Sequence, residues 1–296
     1  MTIRHLEIFT TVADAGSMSK AAKLLHISQP GISQAVSELE RYYSIKLFER
    51  LSQKLYLTKE GELLLSFSRH ILDSFDKMEE AMHHATQKTS LHIGCSVSVG
   101  TCLINEILDE AEKQLPNCSF QVTVTNSTHI EQAILDSQVD VGIVEGTIRN
   151  ENLIVLPVCE DELVMVCGKD HPLARLDSIT LPMLQNQDYA SRESGSTDRN
   201  QFEQLLEEQN IHLNRTFRST STDAIKNAVL CGRGIALFSK RMVAREVSDG
   251  DMVILPLEGI RVTRNIHFVI HKNKYVSTEI ETLQKICSGY EKNICV

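Results

Sequence analysis

The chain lacks the spacings that metal and redox chemistry use. Its eight cysteines, Cys95, Cys102, Cys118, Cys159, Cys167, Cys231, Cys287 and Cys295, contain no Cys-x-x-Cys pair. Most stand in apolar runs, which reads them as small buried hydrophobes of a reducing compartment rather than zinc ligands. His83-His84 has no partner nearby at metal-ligand spacing, so no metal and no cofactor are expected. No apolar run is long enough to span a bilayer and no export signal opens the chain, which predicts a cytoplasmic protein without membrane contact. Catalytic signatures are missing as well. There is no Gly-x-Ser-x-Gly elbow and no phosphate loop, and Gly232-Arg233-Gly234 lacks the third glycine of a dinucleotide fingerprint. The His and Asp residues show no triad-like clustering. A metabolic α/β enzyme and a solute-binding protein are thereby disfavoured, the latter also by what stands at the N-terminus.

What the sequence does have is enough apolar residue, 42% over 296 positions, for two or three folded domains. Its net charge of −9 is unevenly spread. Residues 1–60 hold eight Lys/Arg against six Asp/Glu, about +2, so the remainder carries about −11. A small, weakly basic module attached to an acidic body would touch a polyanion through the module, while the body keeps nonspecific attraction low.

Residues 17–61 explain what that module is for. Ser17 is a good helix N-cap and is followed by Ala21, Ala22 and Leu25 at helical spacing. After His26-Ile27, Ser28 is a second N-cap, with Pro30 in the first turn, where its missing N–H costs nothing. Ile32, Val36 and Leu39 then form one buried stripe. That leaves Gln29, Ser33, Gln34, Ser37 and Arg41 on or near the open face. Gln pairs donor and acceptor with adenine, and Ser does either. A helix-turn-helix places such a second helix in the major groove. The segments Leu47-Phe48 and Leu55-Tyr56-Leu57 read as the strands of a wing.

These residues resemble the LysR-type transcriptional regulators. The likeness is carried by Arg4-x-Leu6-x-x-Phe9, Ala21-Ala22, Leu24-x-x-x-Ser28-Gln29-Pro30, Ile32-Ser33-x-x-Val36-x-x-Leu39-Glu40, Leu47-Phe48-x-Arg50 and Leu57-Thr58-x-x-Gly61. Three departures from the family's habit are visible: Met18 where Phe is usual, Gly31 where Ala or Ser is common, and the pair Gln53 and Leu55 in a wing that is often more basic. The DNA contacts implied are Ser28, Gln29, Pro30, Ser33, Gln34 and Ser37, with Arg50 and Lys54 from the wing.

The rest of the chain divides by period. A first helix is expected from about Ile3 to Ala15, capped by Thr2, with Leu6, Phe9 and Ala13 inward. Thr58 caps a long helix over roughly residues 59–87, on which Leu64, Ile71, Phe75, Met78, Met82 and Ala85 make a coiled-coil seam interrupted by Ser68. That seam predicts a two-fold dimer presenting two recognition helices to a partly palindromic site. From Leu91 onward, strands (Leu91–Cys95, Phe120–Val124, Val139–Val144) alternate with helices (Leu103–Ala111, Ile130–Leu135), the grammar of a parallel sheet. Leu153–Val158 and Leu163–Cys167 follow as two strands. Then come a helix near Phe202–Glu207, a strand at Phe217-Arg218, a helix near Ala224–Leu230, the strands Ile235–Phe238 and Ile266–Ile270, and a helix capped by Ser277.

The fold class expected is α plus α/β: a winged helix-turn-helix over residues 1–58, a linker helix over 59–88, and an effector domain over 91–296. The resemblance implies that this last part has two Rossmann-like halves of the type 2 periplasmic-binding-protein kind. Subdomain I would take about 91–160 and 267–296, and subdomain II about 161–266. In such sheets ligands bind beyond the carboxyl ends of strands. The polar loops in that position supply Ser96 and Ser98; Asn126, Ser127 and Thr128; Glu145; Arg192, Ser194, Gly195 and Thr197; and Ser221 and Thr222. Hydroxyls with Arg192 suit an anion. Glu145 must then pair with a base such as Arg192, meet a protonated group, or lie outside the ligand's contacts. Asp140-Val141-Gly142-Ile143-Val144-Glu145-Gly146, Leu237-x-Ser239-Lys240-x-x-Val243 and Thr263-Arg264-x-Ile266 with His271-Lys272-x-x-Tyr275-x-Ser277 resemble the CysL-like branch linked to sulfur metabolism. That likeness implies a small anionic effector such as a sulfur oxyanion, with a carboxylate metabolite as the competitor. The partners expected are double-stranded promoter DNA, the effector, further copies in a homodimer or homotetramer, and RNA polymerase.

Overall fold

The computed structural model describes residues 1–51, 54–83, 89–192 and 197–293. The chain forms two compact units, the first built from the chain up to Lys88 together with the short segments 135–138 and 273–275.

In the first unit, α1 (Ile3–Ala15), α2 (Met18–Leu24) and α3 (Gln29–Tyr43) precede a hairpin of β1 (Phe48–Leu51) and β2 (Lys54–Leu57), and α4 (Lys59–His83) follows. The caps explain these boundaries. Ser17 Oγ accepts from the Lys20 N–H, Ser28 Oγ accepts from the Gly31 N–H at 3.3 Å, and Thr58 Oγ1 accepts from the Gly61 N–H at 2.9 Å. Thr2 differs from expectation. It holds the N-cap position of α1 but makes no side-chain cap bond, because its hydroxyl pairs with His5 Nδ1 at 2.7 Å. Gly16 ends α1 in the left-handed region, at φ 61°, the conformation glycine adopts most cheaply. Gly61 is required by close approach: a Cβ there would stand 2.2 Å from the Leu47 carbonyl oxygen. Phe9, Leu39 and Leu47 form one core cluster, and Ile8, Val12, Ala21, Ala22, Ile32 and Val36 fall in another. Ala13 is only half-buried, and Val12 takes its place inside.

The apolar side chains expected along one stripe of α4 divide between the core and the surface. Leu64 packs on the first unit's own core, whereas Leu63 and Phe67 join Ile71, Met78 and Met82 as exposed apolar side chains. Ser68 is buried and returns its hydroxyl to the Leu64 carbonyl at 2.7 Å. Ala85 lies outside the described residues. The segments 135–138 and 273–275 join this unit through ion pairs and hydrogen bonds to α4. Arg69 pairs with Asp136 and with Asp14, Ser137 meets His70 Nδ1 at 2.9 Å, and Lys274 Nζ donates to Asp73 at 2.8 Å.

The second unit opens with β3 (Thr89–Ser96), α5 (Val97–Cys102), α6 (Ile104–Gln114), β4 (Cys118–Thr125), α7 (Ser127–Leu135), β5 (Val141–Glu145) and β6 (Leu153–Gly168). It continues through β7 (Asp188–Arg192), α8 (Thr197–Glu208), β8 (Asn214–Ser219), α9 (Thr222–Leu230), β9 (Ile235–Ser239), α10 (Ala244–Ser248), β10 (Met252–Leu255), β11 (Val262–His271) and α11 (Thr278–Asn293). The strand order is β4-β3-β5-β11-β6-β9-β7-β8, with β10 beside β6. The expected parallel sheet is in fact mixed. β3 is parallel to β4 and β5, and β7 is parallel to β8 and β9, but β6 and β11 run antiparallel to their neighbours.

The two strands expected over 153–167 are one. Glu160-Asp161-Glu162 reads as a break, yet the backbone stays extended because Asp161 finds buried partners, given below. Opposite Pro157, which offers no N–H to the ladder, the register of β11 shifts between Ile266 and His267. Along β6 and β9 alternate residues feed two cores, Leu163, Met165, Ile235 and Leu237 in one and Val164, Val166, Ala236 and Phe238 in the other. Burial on both faces explains why these strands read as unbroken apolar runs. Cys95, Cys159, Cys167 and Cys287 are buried and Cys231 is exposed, while Cys295 lies outside the described residues. Burial pushes the Cys95 and Cys287 thiols up to about 12. No described helix is long and apolar enough to cross a membrane.

Burial also lowers the pKa of His70, His171 and His267 below the ordinary 6.5. The unfolded chain therefore takes up their protons first, so their contribution to stability is intact above 6.5 and is lost as pH falls below it. Urea unfolding followed by circular dichroism should show a lower midpoint at about pH 5.5 than at about pH 7.5. His70→Gln should reduce that difference; an unchanged difference would refute a part for His70.

Candidate functional site

Two sets of polar side chains stand apart from the cores. The first is the open face of α3. Ser28, Gln29, Pro30, Gln34, Ser37 and Arg41 are exposed and Ser33 is half-exposed, while Ile32, Ala35, Val36 and Leu39 turn inward. Helical spacing thus puts Gln29, Ser33 and Ser37 along one stripe, with Gln34 and Glu38 beside it. Gln34 Nε2 donates to Glu38 Oε1 at 2.9 Å, and Glu38 Oε2 meets His5 Nε2 of α1 at 2.8 Å. The His5 hydrogen bond, with that from Gln34, holds the Glu38 carboxyl below its ordinary value. Arg50 and Lys54 belong to β1 and β2, and their side chains lie outside the described residues.

The second set lies where strands of the second unit end. Ser96 at the end of β3 is fully buried and donates to Glu145 at the end of β5. Glu145 does not take Arg192 as its base. Its cation is Arg264 of β11, whose side chain has 0% exposure and whose Nη1 stands 3.6 Å from Glu145 Oε1. The same guanidinium reaches Asp161 of β6 through Nε and Nη2, both at 2.8 Å. Asp161 also accepts from Ser239 at the end of β9 at 2.7 Å, with Arg241 Nε 3.8 Å away. One buried guanidinium and two buried carboxylates therefore join β3, β5, β6, β9 and β11.

The other candidates divide by location. Ser98 is buried on α5, next to this cluster in sequence. Asn126 is occupied locally, since its Oδ1 accepts from the His129 N–H at 2.9 Å, with Ser127 and Thr128 opening α7. Ser221 acts as the N-cap of α9, accepting from the Ala224 N–H at 3.3 Å. Arg192, at the end of β7, donates to Thr222, the first residue of α9, at 3.5 Å. Ser194 and Gly195 lie outside the described residues, as does the side chain of Thr197, which opens α8. Sequence reasoning did not select Asp161, Arg264, Ser239 or Arg241 for this region. In sequence Asp161 is masked by its neighbours Glu160 and Glu162, and Arg264 by Thr263 and Asn265, so neither stands out as a buried charge.

Removing one member of a buried ion pair leaves the others uncompensated and costs about 3–5 kcal/mol. Arg264→Ala should therefore destabilise the protein by about that amount in urea unfolding monitored by circular dichroism, the chain having no Trp to report. A loss under about 1 kcal/mol would show the cluster to be solvated, as surface pairs are.

Comparison with known proteins agrees with this architecture. Residues 3–62 match the model of the bacterial regulatory helix-turn-helix protein, lysR family, and residues 84–289 match the LysR substrate binding domain. The HTH-type transcriptional activator CmpR of Synechocystis is 26% identical over 297 residues, covering 100% of this chain and 97% of the relative. A solved full-length OxyR variant of Pseudomonas aeruginosa superposes with a TM-score of 0.70 at 18% identity, over 98% of this chain and 94% of that one. The regulatory domain of Synechocystis CcmR, solved in complex with 2-PG, gives 0.65 at 23% identity, over 70% of this chain and 99% of that domain. With both of its parts matched in order, the chain belongs to the LysR family of helix-turn-helix transcriptional regulators.

Proposed function

We propose that this protein is a cytoplasmic promoter-binding regulator rather than an enzyme, and that its DNA contacts are made from α3. The observation that carries this is the division of α3 into a buried apolar side and an exposed side of Gln29, Ser33, Gln34 and Ser37 beginning at a capped N-terminus. Arg50 and Lys54 of the hairpin would hold phosphates, which fix position without reading sequence. The exposed Leu63, Phe67, Ile71, Met78 and Met82 of α4 supply an apolar stripe for a second copy, giving a homodimer, or a homotetramer if such dimers pair. The domain limits follow from this reading: a reader over residues 1–58, a linker over 59–88 and a regulatory part over 91–296.

The regulatory part would take a small effector, as the CcmR domain does with 2-PG. We place it at the polar strand ends, with Ser96 and Ser98 on one side and Arg192, Thr197, Ser221 and Thr222 on the other. Arg192 favours an anion. The CysL-like motifs favour a sulfur oxyanion, and a small carboxylate is the competing class. The buried Arg264 is already matched by Glu145 and Asp161, so Arg192 is the cation this ligand would meet. Ligand and DNA responses couple only if the effector binds one arrangement of the protein better than another. RNA polymerase would read the outcome.

A gel-shift on DNA upstream of the protein's own gene tests the reading directly. Gln34→Ala should weaken specific binding by about 1–3 kcal/mol, and Arg50→Ala should weaken all sequences alike and lower the salt slope by about one. Equal losses for Gln34→Ala on operator and random DNA would reject base reading there. In calorimetry with sulfite, sulfate and small carboxylates, Thr197→Ala and Ser98→Ala should lose ligand binding while DNA binding persists. Unchanged ligand affinity in both would move the site elsewhere.

A further inference from the structure

Gln34 is not a freely rotating amide. Its Nε2 faces Glu38 Oε1 at 2.9 Å, one turn further along α3. A carboxylate accepts hydrogen bonds and donates none, so the –NH₂ of Gln34, not its carbonyl oxygen, must face Glu38. Glu38 is itself fixed, because its second oxygen meets His5 Nε2 at 2.8 Å and that ring is held on its other nitrogen by the Thr2 hydroxyl at 2.7 Å. The chain of contacts runs Thr2–His5–Glu38–Gln34, from α1 to the exposed side of α3. An acidic side chain on a face that meets phosphates opposes binding unless it does something else there.

We propose that Glu38 is a positioning residue that fixes the polarity of the Gln34 amide and so makes Gln34 select adenine in one strand orientation. This rests on the reading above that α3 lies in the major groove. Giving Glu38 the N–H that points away from the carbonyl leaves the carbonyl oxygen of Gln34 and its other N–H side by side. That pair matches the N6 amino group and N7 of adenine. It does not match guanine, whose N7 and O6 both require donors. An amide free to turn over would present the same two groups in the opposite order and would blur the distinction between A·T and T·A.

The experiment selects a random-sequence duplex pool on the full-length protein and on its Gln34→Ala, Glu38→Ala and doubly substituted forms. Melting by circular dichroism confirms that each is folded. Gln34→Ala should erase a preference for adenine at one position of the half-site, a preference of roughly tenfold or more for a bidentate pair. Glu38→Ala should reduce the preference at that same position severalfold, without weakening binding to the pool as a whole. In the Gln34→Ala background, Glu38→Ala should change nothing further at that position, since a positioning residue acts only through the side chain it holds. The proposal is overturned if Glu38→Ala leaves the adenine preference intact, or if it alters a different base pair with Gln34 absent, which would mean that Glu38 reads a base itself. If Gln34→Ala disturbs no position, the fault lies in the groove-reading assignment of Gln34 and the proposal falls with it.

Discussion

A guanidinium with no exposed surface must find its counter-charges inside the protein, and Arg264 finds them on the strands that run through the middle of the sheet. Asp161 lies on β6 and Glu145 at the end of β5, and both are buried with it. Desolvating three charges is expensive, and the expense is offset only while all three hold their geometry. Ser96 and Ser239 satisfy further carboxylate oxygens, so the ends of β3 and β9 are drawn into the same arrangement. A shift of β11 against β6 would separate Arg264 from Asp161. The polar cluster is thus a registration device for the sheet whose strand ends carry the candidate ligand residues.

The first unit solves a different problem. A small module has little core, and α3 can expose its polar side only because Ile32, Val36 and Leu39 are pinned beneath it. Caps at Ser17, Ser28 and Thr58 set where each helix begins, and Gly16 and Gly61 supply a reversal and a close approach that other residues would strain. The exposed side is then presented by a rigid support, which is what a base-reading surface needs. Residues 1–60 carry only about +2 against about −11 on the remainder, so bulk electrostatic attraction to a polyanion is weak.

Much of this was legible in the sequence because it is local. The helices of the first unit follow from capping residues and a 3.6-residue period, and the βα alternation follows from apolar runs separated by amphipathic stretches. Leu64, expected on the outward stripe of α4, packs instead on the core of its own unit, since an apolar Leu64 and an apolar Leu63 look alike until the core beneath one of them is known. Asp161 made β6 look like two strands, because a buried charge is indistinguishable from a loop charge until its partner is found 103 residues away in Arg264.

By itself the sequence determined most of the helices and strands, though not β7, β10 or the unity of β6, together with which side of α3 is polar and that a helical module precedes an α/β body, since each depends on neighbours within a few turns of chain. Only the tertiary structure decided that Glu145 answers to Arg264 rather than Arg192, that β6 and β11 run against their neighbours, and that Glu38 on α3 meets His5 on α1. Those depend on which distant side chains meet, and electrostatic and hydrogen-bond energies fall off too steeply with distance for sequence spacing to reveal them.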